Sequence, residues 1–201
     1  GASSGDDGED VSVWEQLRLW LEQARGRDVA SPSKSTSHEL GASDMKRYIA
    51  INFDNVESEI IKTQKIVKGK GCGVAFCHND CLYGNIMRHG SSGEVRLIDF
   101  EYGGPNYVAF DIANHFNEWA GGTGTEIVGP GYNGVPNYAL LPTSKQQERF
   151  CRAYLTAVST REGASATPSA IEAKRVKELL ADVSLFVVLN NIYWGLWGVN
   201  Q

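Results

Sequence analysis

Apolar positions in the first part of the chain recur at helical spacing. Val13, Leu17, Trp20, Leu21 and Ala24 fall on one face, which predicts an amphipathic helix over 11–25. Residues 26–43 are rich in Ser, Gly, Pro and Lys and read as a flexible surface insertion, expected to carry no chemistry. A second helix is predicted to begin near Asp54, where Asp54 and Glu57 resemble a capping box. Val56, Ile60, Thr63 and Val67 form its inner stripe. Gly69 to Gly73 breaks the chain. The pattern then changes to two short continuous apolar runs, GVAF and VRLI, each read as a buried strand. Asn85 to Arg88 and Glu94 to Asp99 flank Ser91-Ser92-Gly93, a hairpin arrangement.

Helical spacing returns over Tyr107 to Ala120. Residues 121–142, with repeated Gly and Pro, read as a long loop whose length argues for function or mobility. Thr143 with Gln146 is a capping box, and Phe150, Ala153, Tyr154, Ala157 and Val158 predict the buried face of the helix it opens. Pro168 suits the first turn of a last helix reaching about Val199. The most apolar segment, Val183 to Trp197, is interrupted by Ser184, Asn190 and Asn191. It reads as a buried helix rather than a membrane span. There are no internal repeats.

Length and charge narrow the class. The chain has 201 residues, enough for one domain or a large lobe with its own core. A net charge of -5 argues against a nucleic-acid surface. Residues 1–10, GASSGDDGED, predict a disordered acidic tail, and they lack the basic and apolar parts of a signal peptide. Residues 11–201 are read as one structural unit. A domain of this size does not need disulfides, so Cys72, Cys77, Cys81 and Cys151 suggest a reducing, cytoplasmic setting. Cys72, Cys77, His78 and Cys81 raise a zinc reading. Their spacing is poor for it, because adjacent strand residues point to opposite faces and no paired C-x2-C is present.

The candidate chemistry lies between Ala75 and Trp119. His78, Asn79, Asp80 and Asn85 form one polar cluster, Asp99 and Glu101 a second, and each follows an apolar run that a rigid scaffold could hold in place. Phosphoryl transfer needs a carboxylate to orient or accept the proton of the attacking hydroxyl. It also needs an amide and a second carboxylate to hold magnesium against a triphosphate. Asp80 and Asn85 have the D-x4-N spacing of a kinase catalytic loop, and Asp99-Phe100 stands where kinases place the metal-binding aspartate. Asp80 is therefore the candidate base. Asn85 and Asp99 are the candidate magnesium ligands, with Glu101 touching a second ion or its water shell. His78 is read as structural support.

The strings FCHNDCLYGNIM, LIDFEYGGPNYVAFDIANHFNEW, LPTSKQQERF and YWGLWGVNQ resemble the choline/ethanolamine kinase family, on the protein-kinase-like fold shared with aminoglycoside phosphotransferases. The resemblance implies an α+β fold: the C-terminal lobe of a kinase, mostly helical around a small β-hairpin sheet. The N-terminal lobe that covers ATP in the family is expected to be missing from this stretch, since GKGCG at Gly69 to Gly73 is only a weak imitation of a phosphate loop. It implies ATP and Mg2+, and transfer to the hydroxyl of choline or ethanolamine at the entry to phospholipid synthesis. It implies that Asp111 anchors the catalytic-loop backbone. Glu118, Tyr102, Trp194 and Trp197 would hold the cationic head group, which a protein can grip only with a carboxylate and aromatic faces if it is quaternary. Ala120-Gly121-Gly122-Thr123 after the Glu-Trp pair is closer to ethanolamine-type members and leaves the head group open. The missing lobe and a second copy of the chain are the expected protein partners. A binding module or inert fragment, and an aminoglycoside-type phosphotransferase, are the alternative readings.

Overall fold

The computed structural model describes residues 12–26, 51–120, 137–161, 167 and 171–201. The expected tail over 1–10, most of the insertion over 26–43, most of the long loop over 121–142, and Pro168 lie outside the described residues. Helix α1 spans Ser12–Gly26 and α2 spans Phe53–Lys70. Strand β1, Val74–Cys77, is followed by a 3-10 turn at Tyr83–Asn85 and strands β2, Ile86–Arg88, and β3, Val95–Leu97. Strand β4, Gly104–Tyr107, leads into α3, Val108–Glu118. A 3-10 turn at Tyr138–Leu140 precedes α4, Ser144–Arg161, and the chain closes with α5, Ala173–Asn200.

Helix α5 is the axis of the packing, and α1, α2, α3 and α4 lie against it. By length and composition it is the one helix among the described residues apolar enough to cross a membrane. Here Val183, Phe186, Leu189, Tyr193 and Leu196 carry its apolar face into the core. Rings knit the centre. The Trp14 indole donates to the Tyr107 hydroxyl at 3.2 Å, the Tyr107 and Phe110 rings lie against Phe186 at 5.2 and 6.2 Å, and Tyr193 lies against Phe110 at 5.4 Å. Trp14, which the helical pattern had left off the inner face, is fully buried.

Several expectations need correction. Helix α2 is capped by Asn52, whose side-chain oxygen accepts from the amides of Asp54 and Asn55, each at 3.1 Å. Asp54 and Glu57 instead pair with Arg25 of α1. Gly71 sits left-handed at φ 64 and closes α2 through the Val67 carbonyl, so GKGCG is a helix stop rather than a phosphate loop. The Thr143–Gln146 box is present, with Gln146 Oε1 accepting from the Thr143 amide at 2.8 Å. The buried face of α4 is turned from the predicted one. Cys151 and Ser159 are buried, while Phe150, Ala153 and Ala157 are exposed, and Phe150 touches only the rim of the core, at His115 and Phe116. Helix α5 starts at Ala173, later than Pro168 suggested.

The sheet is also different. The predicted hairpin is present as β2 with β3, and a second antiparallel pair, β1 with β4, accompanies it among the described residues. Strand β4 pairs Val74 with Tyr107 and Cys77 with Gly104, and the Val108 amide then bonds the Gly73 carbonyl at 3.0 Å. This fixes the start of α3 against the start of β1. Neither apolar run is a buried strand. Only Cys77 of β1 is buried, all of β3 is exposed, and Phe76 and Met87 are 68% and 53% exposed.

The capping assignment makes a direct prediction. Asn52→Ala should lower the unfolding free energy by about 1 kcal/mol, and Asp54→Ala by less than about 0.5 kcal/mol, as for an exposed ion pair. Urea denaturation of both variants checks this, and the reverse order would return the cap to Asp54.

Candidate active site

Helix α3 holds the loop after β1 by its backbone. The Asp111 carboxylate accepts from the His78 amide at 2.9 Å and the Asn79 amide at 2.8 Å. The Asn114 side-chain oxygen accepts from the Cys81 amide at 2.8 Å, and His115 Nδ1 donates to the Cys81 carbonyl at 3.0 Å. These residues sit at i, i+3 and i+4, so one helix face presents them together. They satisfy loop groups that no strand or helix of their own could satisfy.

His78 ties this loop to the end of β3. Its Nε2 donates to the Ile98 carbonyl at 2.8 Å, and its Nδ1 accepts from the Asp80 amide at 3.3 Å, which puts the ring proton on Nε2. The ring lies against Phe100 at 4.6 Å. Asn85 completes the junction. Its amide nitrogen donates to the Asp80 carbonyl at 2.9 Å and to the Asp80 carboxylate at 3.2 Å. The Asn85 carbonyl accepts from the Ile98 amide at 3.0 Å, immediately before Asp99. Asp80, Asn85 and Asp99 are thus brought to one place. Asn79 and Asp99 are left-handed, at φ 67 and 63, which Asn and Asp tolerate better than other side chains. Such backbone strain clusters where function over-determines local geometry.

Asp80 is half-buried, and burial holds its carboxyl above the ordinary range. The His78 ring and the Asn85 amide pull it back, and the charges of Asp99 and Glu101 push it further up. Asp99 and Glu101 are exposed. The donors suit magnesium: the Asn85 nitrogen is committed to Asp80, which leaves its oxygen, and Asp99 adds a carboxylate. Among the described residues no three His, Cys, Asp or Glu side chains converge as a metal cage. An ion held by one or two protein oxygens, with phosphate and water completing its shell, is the arrangement magnesium prefers. The Cys77 thiol donates to the Asn106 carbonyl, and burial pushes the thiol of Cys81 up to about 11.

Beside this junction lies an aromatic wall. The Tyr102 and Trp194 rings meet edge-on at 5.1 Å, Trp194 and Trp197 at 5.8 Å, and the Trp197 side chain lies near enough to the Tyr102 hydroxyl to offset part of the upward push of burial on it. Glu118 closes α3. Burial, and then the charge of Asp80, push its carboxyl up to about 7. Trp119 is exposed, and its indole lies 3.5 Å from His115 Nε2. Sequence reasoning passed over Asn114 and His115. The available signal was a D-x2-N-H run inside an otherwise apolar helix.

The choline/ethanolamine kinase family profile matches residues 4–201. Probable choline kinase 1 of Arabidopsis thaliana is 32% identical over 189 residues, covering 94% of this chain and 46% of that protein. Ethanolamine kinase 1 of Homo sapiens is 34% identical over 146 residues, covering 73% of this chain and 29% of that protein. In three dimensions the chain is similar to an ethanolamine kinase of Plasmodium vivax, with a TM-score of 0.67, 23% identity, and coverage of 94% of this chain and 43% of that one. A choline kinase of Cryptosporidium parvum gives a TM-score of 0.62 at 19% identity, covering 99% of this chain and 54% of that one. These two likenesses establish the fold. The chain spans less than half the length of the curated relatives it matches.

Glu118 makes the stability of the chain depend on pH. Its folded pKa is raised from 4.5 to about 7, so its contribution is fully present below 4.5 and is lost as pH rises through about 7. Glu118→Gln removes this loss. The variant should gain roughly 2–3 kcal/mol on wild type between pH 4.5 and about pH 8. Denaturation curves at both pH values measure it, and parallel behaviour of the two proteins would place the carboxylate in water.

Proposed function

The chain belongs to the choline/ethanolamine kinase family, and we propose that its protein transfers the γ-phosphate of ATP to the hydroxyl of choline or ethanolamine. The observation that carries this reading is the Asn85 junction: its side chain holds Asp80 and its carbonyl holds the residue before Asp99. Glu118 and the Tyr102–Trp194–Trp197 wall lie at its flank.

Asp80 accepts the hydroxyl proton as the new oxygen–phosphorus bond forms and the bond to the bridging β,γ-oxygen breaks. In so loose a transition state, placement of the hydroxyl matters more than the strength of the base. Asn85 and Asp99 would hold magnesium, and Glu101 would reach its water shell. When bound, the ion neutralises the phosphate charge. Glu118 supplies the counter-charge for the head group, and Tyr102, Trp194 and Trp197 supply faces worth on the order of 0.5–2 kcal/mol each to a desolvated cation. His78 and Asp111 position the loop.

We read this chain as the C-terminal lobe of the kinase. An N-terminal lobe and the nucleotide base would cover exposed apolar side chains of the strands, Val74 and Phe76 of β1 and Val95 and Leu97 of β3, with Phe100 beside Phe76. Bare side chains of this kind, contiguous with a phosphate-handling loop, support a covering partner. Four free thiols accord with a reducing, cytoplasmic setting.

The test uses the whole protein with MgATP and a panel of choline, ethanolamine and aminoglycosides. Transfer to the first two is expected, and transfer to none would favour a binding module. Asp80→Ala should lower kcat by about 100-fold or more, and retained turnover would remove Asp80 from its role. The KM for the cationic acceptor should fall as pH rises through about 7, where Glu118 ionises. In Glu118→Gln the profile should be flat and the KM high throughout.

A further inference from the structure

We propose that Asn79 is a positioning residue that locks the head-group wall to the catalytic loop through the turn carrying Tyr102. The proposal rests on the head-group reading of Tyr102 given above, and it adds a residue to that site. Asn79 is buried and left-handed, immediately before Asp80. Its backbone amide is held by Asp111 at 2.8 Å, so its place is set by α3. Its side chain does something else. Nδ2 donates to the Tyr102 carbonyl at 2.8 Å, and Oδ1 accepts from Asn106 Nδ2 at 2.7 Å. Asn106 is itself buried in β4, and its Oδ1 accepts from the Tyr107 amide at 2.8 Å.

The turn it grips is tight. The Gly103 amide bonds the Phe100 carbonyl at 2.8 Å, and a Cβ at Gly103 would meet that oxygen at 2.9 Å and the Phe76 ring at 3.1 Å. Tyr102 is thereby fixed twice, by Asn79 at its backbone and by Trp194 and Trp197 at its ring. One amide side chain sits between the carboxylate that meets the hydroxyl and the ring that meets the cation. The separation of hydroxyl and cation in the acceptor is a fixed length, so the two protein groups must hold a matching one. An amide is required for this: a carboxylate at 79 could still accept from Asn106 but would face the Tyr102 carbonyl with no proton to share.

The experiment uses the whole protein with Asn79→Gly, Asn79→Asp, Tyr102→Ala and the Gly/Ala pair. Glycine keeps the left-handed backbone while removing both side-chain bonds. Each single variant should raise the acceptor KM by about tenfold, with the KM for ATP nearly unchanged. The double variant should resemble Tyr102→Ala alone, because Asn79 acts through that ring. Multiplied effects would overturn the proposal. Amide hydrogen exchange reads the same link without turnover. In Asn79→Gly, residues 100–104 should exchange roughly tenfold faster while α3 is unchanged. Unchanged exchange there, or uniform acceleration throughout, would also overturn it. A wild type inactive on choline and ethanolamine would count against the kinase reading, and the exchange result would still decide the role of Asn79.

Discussion

Everything at the candidate site depends on the grip of α3 on the backbone of residues 78–81. A loop between a short strand and a 3-10 turn leaves amides and carbonyls without ladder partners, and burial makes each of them costly unless paired. Asp111, Asn114 and His115 supply those partners from one rigid helix. The direction of the Asp80 side chain is therefore inherited from the packing of α3 on α5, and the chemistry rests on the hydrophobic core through a handful of hydrogen bonds. The Asp111 carboxylate, accepting from two amides at once, is the strongest of them.

The second constraint is electrostatic. Burial raises the carboxyls of both Asp80 and Glu118, and neighbouring acids add to it, Asp99 and Glu101 at Asp80 and Asp80 at Glu118. A group of acids that destabilises the free protein is relieved when cations arrive. On the proposed reading two kinds would come, a divalent ion beside the phosphates and an ammonium at the acceptor. Each would recover part of what folding lost, so binding and folding are opposed in the empty site and aligned in the filled one.

Much of this was legible in the sequence, for definite reasons. His-x-Asp-x4-Asn followed by Ile-Asp-Phe is dense enough to name the junction before any coordinates. The stripes of α1 and α2 follow ordinary helical spacing, with Leu17, Ile60 and Val67 buried as their positions imply. Strand β4 was not legible, because Gly-Pro-Asn is poor strand material and is recruited only by pairing with β1. The burial of β1 and β3 was misjudged, since an apolar run says that a face wants cover without saying what covers it. The face of α4 was missed because Phe150 sits at the rim of the core, against His115 and Phe116, and stays partly exposed. Asn79, Asn114 and His115 work on distant backbone atoms, an interaction that leaves no periodic trace.

Helix α5 joins two tasks that elsewhere are kept apart. Phe186 and Leu189 fill the centre of the fold, and Trp194 and Trp197, further along the same unbroken helix, face the polar junction. Each residue along a helix advances the side-chain direction by about 100°. One codon gained or lost between Leu189 and Trp194 would swing both indoles away from Tyr102, although no residue type had changed. The spacing of this segment is therefore a stricter heirloom than its composition: substitutions can drift there, but its length cannot.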